Sequence, residues 1–316
     1  MRLMDHLPWD DVESESLNFL RAIGVEGLLV HIPPKLIDGE DRTDDFRRLK
    51  AFVEDHELAL EVLHSHFVPR DKIVHGLPGR DEQIEVWKHI LRAIGKAGVS
   101  RTATTFYAIS HFRTPPTVGR GGARYSTFDY EVFLEERREF PDKTIGEDEL
   151  FANIEYFLKQ VVPVAEEAGV RIALHPDDPP IPDPLGGAAR IVCSLDNYER
   201  FFGMVPSESN GMLFCQGCVA EMGEDVIRAI RRIGSQDKIV FVHFRDIRGT
   251  PHEFQEVFID EGDNDMMKAM EAYRDVGFDG PAMLDHTPGI PGDEKGKLGH
   301  AYANGYIRAM IQAVYR

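Results

Sequence analysis

The stretch AEEAGVRIALHPDDPP (165–180) decides the fold. A helical run stops at Ala168, a glycine follows, and the largely aliphatic VRIAL fills 170–174. A histidine then stands where prolines and aspartates end regular structure. The same phrase of helix, glycine and strand recurs at Ile23-Gly24, Ala97-Gly98, Ile233-Gly234 and Val276-Gly277. Working outward, short apolar runs predict strands at 2–4, 27–32, 59–64, 101–107, 170–175, 212–215, 239–244 and 281–284. Amphipathic periodicity predicts helices over 13–23, 44–55, 80–97, 147–168, 225–233, 265–276 and 301–314. Strand and helix alternate throughout, which calls for parallel pairing with right-handed crossovers. Eight such units are the count of a single (β/α)8 barrel spanning 1–316. The rival, a doubly wound open sheet, lacks a G-x-G-x-x-G after its first strand.

Two connections break the rhythm. Residues 111–142 are rich in Arg, Gly and Pro and are read as a loop insertion; 176–189 (PDDPPIPDPLGGAA) cannot be helical. In a barrel both leave the C-terminal ends of strands, so long loops are expected over the face where sites are built.

The chain has 54 acidic and 36 basic side chains, a net charge of −18. That balance argues against nucleic acid as a partner, which needs clustered Lys and Arg. Arg228, Arg231 and Arg232 read as a solvated helix face. No run approaches the ~18 apolar residues of a membrane span, and no signal segment opens the chain. Three cysteines suit a reducing, cytoplasmic setting rather than a disulfide framework. Cys215 and Cys218 form a lone C-x-x-C, half of what a four-thiolate zinc site requires.

The chemistry stands at the strand ends. Four successive predicted strands deliver His175, Cys215, His243 and Asp285 to the same edge. A lone strand-end histidine is more often a hydrogen-bonded rim residue, and a buried cysteine is usually a small hydrophobe. Four ligands in one register outweigh that reading. Two imidazoles, a thiolate and a carboxylate suit Mn2+, Fe2+, Co2+ or Zn2+ and are too soft for Mg2+ or Ca2+. Cys218 is expected in the following loop, packed or behind the ligands.

The segments GLPGRDEQIEVW (76–87), HPDDPP (175–180), CQG (215–217), HFRD (243–246), FQEVFIDEGDNDM (254–266) and LDH (284–286) together resemble the mannonate dehydratase family, a branch of xylose-isomerase-like TIM barrels. The resemblance implies a divalent metal, Mn2+ or Fe2+, and dehydration of D-mannonate to 2-keto-3-deoxy-D-gluconate. It places the metal on His175, Cys215, His243 and Asp285, the residues the strand ends had selected. It further implies His286 as the proton-transferring histidine and Arg245 as a catalytic group pairing the substrate carboxylate. Asp178 and Glu256 are expected to bind substrate hydroxyls. The partner is thus a small sugar acid, and a homo-oligomer, dimer or tetramer, is expected.

Two stretches depart from the family. PGIPGDEKGKLG (288–299) has no tyrosine where the family carries a catalytic one, and RTPPTVGRGGARYSTF (113–128) lacks the usual tryptophan. Tyr107, Tyr125 or a metal-bound water are the candidates for the second proton relay. Alternatives are a xylose-isomerase-like isomerase or epimerase, which a cysteine ligand speaks against, an altered dehydratase that acts on another acid sugar or only binds it, and thiol redox chemistry at Cys215 and Cys218.

Overall fold

Strand β1 (Arg2–Pro8) shows the rule on which the molecule is built: Met4 turns into the barrel interior while Leu3 packs outward against the helices. In the computed structural model, which describes residues 1–136 and 140–315, β2 (Gly27–His31), β3 (Ala59–His64) and β4 (Arg101–Thr104) follow. An excursion then supplies β5 (Thr114–Val118) and β6 (Arg124–Asp129). Next come β7 (Arg171–Leu174), β8 (Asn210–Cys215) and β9 (Ile239–His243). A hairpin of β10 (Ile247–Thr250) and β11 (Glu253–Glu256) precedes β12 (Pro281–Met283).

Eight parallel strands form the barrel in the order β3-β2-β1-β12-β9-β8-β7-β4. The ends of this order meet without a regular ladder. The Ser65 N–H donates to the Ala103 carbonyl at 3.2 Å. The Thr102 hydroxyl donates to the Leu63 carbonyl at 2.7 Å and accepts from Ser65 Oγ at 2.7 Å. Side-chain hydroxyls thus stand in for part of the missing backbone pairing.

Each barrel strand is followed by a covering helix, and all seven expected helices are present with shifts of a few residues at their ends. An eighth, Leu195–Met204, was not expected, although Ser194 caps it by accepting from the Asn197 N–H. The apolar stripe Leu195, Tyr198, Phe201 and Phe202 is short and follows the proline-rich loop, which masks its period. Gly24, Gly98, Gly169 and Gly277 take positive φ as helix stops. Gly234 instead closes the helix Val226–Gly234 against Val276, whose Cγ2 an added Cβ would meet at 2.6 Å.

The insertion is the main departure. Residues 111–142 are not a plain loop, although 137–139 lie outside the described residues. β5 and β6 pair antiparallel with each other and with the hairpin after β9, giving a second sheet in the order β10-β11-β6-β5. Pro115 and Pro116 sit on the edge strand, where a missing N–H costs no ladder bond, and the register shifts beside them. Phe128 pairs with Phe254, and both are buried beneath the sheet. Residues 176–189 are irregular, as expected. None of the described helices is long and apolar enough to cross a membrane.

Candidate metal centre and active site

The period of two that places Ala173, Leu213, Phe241 and Met283 inside the barrel places His175, Cys215, His243 and Asp285 at its mouth, two residues on. Register brings them side by side: Cys215 is paired with His243, and His243 with Met283. Cys215, His243 and Asp285 have ligand atoms within 4.8 Å of one another, and so do His175, Cys215 and Cys218. The two groups share Cys215, and the rings of His175 and His243 lie 5.4 Å apart. His243 Nδ1 is 3.2 Å from Asp285 Oδ1. Asp285 holds φ +67°, a left-handed backbone that an aspartate tolerates better than a bulky residue. All four expected ligands are thus brought together. Cys218 lies not in a loop but in the first turn of the helix Gln216–Glu221, with its thiol against Cys215.

These residues fit a cation. His175 Nδ1 donates to the Pro176 carbonyl at 2.7 Å, which leaves Nε2 as the ring nitrogen available to the ligand set. Burial opposes ionisation of Cys215. The hydrogen bond from Cys218, the charge of Arg245 and hydrogen bonds from His175 and His243 overcome it and hold the thiol well below its usual range. Cys218 moves the other way, because burial and its bond to Cys215 keep it a thiol. Asp285 is depressed despite its burial by His243, His286 and Arg245. Against burial, Asp285 and Cys215 push His243 up to about 9. A buried thiolate and carboxylate that draw a proton onto a neighbouring imidazole are a donor set calling for positive charge.

The mouth opens into a cavity of about 420 Å3 bordered by His175, His243, Asp285, His286, Asp178 and Glu256. His286 stands half-exposed between two carboxylates, with Nδ1 3.2 Å from Glu256 Oε2 and Nε2 3.4 Å from Asp285 Oδ2. Arg245 is placed differently from the expectation. It is buried and not among the described residues that border the cavity. Its Nε donates to Asp285 Oδ2 at 3.0 Å, one terminal nitrogen donates to Glu221 at 2.8 Å, and the other meets Cys218 Sγ at 3.3 Å and Asp178 at 3.5 Å. The fork is therefore committed to the protein.

Asp178 and Glu256 are likewise tied, both to Arg113 just before β5. Burial of Asp178 is outweighed by Arg113 and Arg245, which bring its pKa to about 2. Arg113 borders the cavity and was missed, since its partners lie 65 and 143 residues away. Tyr107 also borders the cavity. Tyr125 does not serve there: its hydroxyl donates to Glu261 and accepts from the Arg120 N–H. Five further imidazoles on the cavity wall, His6, His31, His64, His66 and His111, were not singled out in the sequence. The signal was present, because His6, His31 and His64 lie two residues beyond inward apolar residues, as the metal set does.

The chain matches the family model described as D-mannonate dehydratase (UxuA) over residues 3–137 and 131–315. It is 30% identical to mannonate dehydratase 2 of Halalkalibacterium halodurans, covering 93% of this chain and 95% of the relative. It is 31% identical to mannonate dehydratase of Thermotoga maritima, with 95% and 91% covered. The crystal structure of mannonate dehydratase from Streptococcus suis superposes with a TM-score of 0.88 at 27% identity, covering 100% of this chain and 95% of that one. A xylose isomerase domain protein from Planctomyces limnophilus, at 16% identity and TM-score 0.63 with 99% and 98% covered, shares the barrel fold.

Proposed function

The chain belongs to the D-mannonate dehydratase family, and from that premise we propose that its barrel mouth converts D-mannonate to 2-keto-3-deoxy-D-gluconate and water, with His175, Cys215, His243 and Asp285 holding a divalent ion. The observation that carries the reading is the convergence of those four side chains from neighbouring strand ends. When bound, an ion there supplies Lewis-acid stabilisation of the charge that develops beside the carboxylate as the C2 proton leaves.

The chain's own residues do the rest. His286 reaches the cavity between Asp285 and Glu256 and is the group that moves a proton at the substrate. Loss of the C3 hydroxyl as water needs a proton at that oxygen, and removal of the C2 proton needs an acceptor. Tyr107, on the same cavity, is the candidate for the transfer that His286 does not make. Arg245 serves by fixing Asp285 and by stabilising the Cys215 thiolate. Asp178 and Glu256 retain lone pairs for substrate hydroxyls beyond those given to Arg113. The enol released then becomes the 2-keto acid. The proposal extends to Mn2+ or Fe2+ as the resident ion, with Co2+ or Zn2+ as substitutes, and to a cytoplasmic homo-oligomer in which 1–316 is a single barrel domain carrying the insertion 111–142. Three cysteines without a disulfide among the described residues support the setting.

The test is turnover of D-mannonate by protein loaded with Mn2+ or Fe2+, read as formation of a 2-keto-3-deoxy acid and abolished by a chelator. Cys215→Ser is expected to lose metal and activity together. Cys218→Ser keeps its metal, with affinity reduced by no more than about tenfold. Turnover of a neutral ketose, with none of D-mannonate, contradicts the proposal.

A further inference from the structure

The half of the cavity opposite His175 and Cys215 is walled by imidazoles that the proposed reaction leaves unused. They arise from three adjacent strands. Met4, Leu29 and Val62 on β1, β2 and β3 belong to the barrel interior, and the strand period stacks His6, His31 and His64 above them. His66 follows β3. Ring centroids lie 4.9 Å apart for His31 and His64, 5.8 Å for His64 and His66, and 5.9 Å for His6 and His31.

The wall is built from behind. Buried Asp5 accepts the His6 backbone N–H at 2.7 Å, and its second oxygen takes His300 Nδ1 at 3.1 Å and the Asn304 amide at 2.6 Å. The buried Nδ1 atoms of His6 and His64 have no hydrogen-bond partner among the described residues; Asp5 Oδ1 lies 3.4 Å from His6 Nδ1 without the geometry for one. A fold does not bury such atoms idly. Burial and the neighbouring histidines push His31 down to about 4 and hold His64 well below its usual range, so both rings are uncharged near neutrality.

We propose that this histidine wall is the subsite for the uncharged polyhydroxyl end of the acid, and that it selects for chain length and hydroxylation. The inference rests on the dehydratase reading for its substrate class. With the carboxylate end turned toward the metal set, the distal carbons of an acyclic acid face β1, β2 and β3. A neutral imidazole offers one donor and one acceptor, which is what a hydroxyl offers in return. An apolar or truncated tail would leave buried nitrogens unpaired. Among the described residues that border the cavity, the one guanidinium a second carboxylate would meet is that of Arg113, which is committed to Asp178 and Glu256.

The experiment is calorimetry on the metal-loaded protein with D-mannonate and with the four-carbon aldonate that keeps C1–C4 of the same configuration. The wild type is expected to bind the hexonate at least about tenfold more tightly than the short acid. His64→Leu should remove most of that difference by weakening the hexonate alone, and His64→Gln, which keeps a donor and an acceptor, should restore part of it. His31→Leu gives a second reading if the first variant fails to fold, and metal content should be one equivalent throughout. Equal affinities in the wild type, or a parallel loss for both acids in the variants, would overturn the subsite. A second equivalent of metal lost with His64→Leu would overturn it by making the wall a cation site. Selective binding of D-mannonate without turnover sinks the dehydratase reading and leaves the wall standing; turnover without selectivity does the reverse.

Discussion

His31 is kept uncharged first by burial and then by the charges that His6, His66 and His243 would place beside it, which lower its pKa to about 4. In the unfolded chain a histidine titrates near 6.5. Between those values the unfolded chain binds a proton that the native one does not. The contribution of this ring is therefore flat above about pH 7 and falls as the pH drops through 6.5 toward 4, by about 3 kcal/mol. Urea unfolding of the chelator-treated protein across that range should show the slope, and His31→Gln should flatten it; an unchanged slope would refute the assignment. The residue scale is also where the sequence was most and least legible. His175, Cys215, His243 and Asp285 were readable because each closes an apolar run. His6 was not, because the first strand was expected to end at Met4 and instead reaches Pro8. The commitment of Arg245 was invisible for another reason: Glu221 and Asp285 reach it only through the closed barrel.

Among the elements, the second sheet accounts for the geometry of the rim. β5 begins just after Arg113 and β11 ends at Glu256, so the sheet that joins them also fixes the ion pair between them. Phe128 and Phe254 pack with ring centroids 5.6 Å apart beneath it. Phe128→Ala is expected to cost about 3 kcal/mol or more in urea unfolding. Amides of 124–129 and 253–256 should then exchange faster while those of β8 and β9 stay protected, because the sheet is a separate layer on the barrel. Uniformly faster exchange would mean that sheet and barrel open as one unit. These strands escaped the sequence because their pairing is non-local: Phe128 meets Phe254, and paired prolines and glycines around them suppress any local period. The barrel helices, by contrast, carry their stop signals beside them, as at Ala168-Gly169, where the chain turns with φ +67°.

At the scale of the whole molecule, the ring of eight strands has one irregular join, between β3 and β4. Thr102 is buried there, bonded to the Leu63 carbonyl and to Ser65 Oγ. Thr102→Val keeps the shape and removes both bonds, leaving a buried carbonyl without its donor. A loss of about 1–3 kcal/mol is expected, with faster exchange at the Ser65 amide. A neutral substitution would mean that the backbone bond from Ser65 to Ala103 suffices. That the chain forms a barrel at all was readable from the repeated helix, glycine and strand phrase, but where its ends meet was not, since every unit of the repeat looks alike. The join lies directly beside His64 and Thr105, both on the cavity wall. In mechanical terms the barrel is a C-clamp rather than a hoop: backbone pairing is sparsest beside His64, so a molecule that presses outward from the cavity is expected to open it there first.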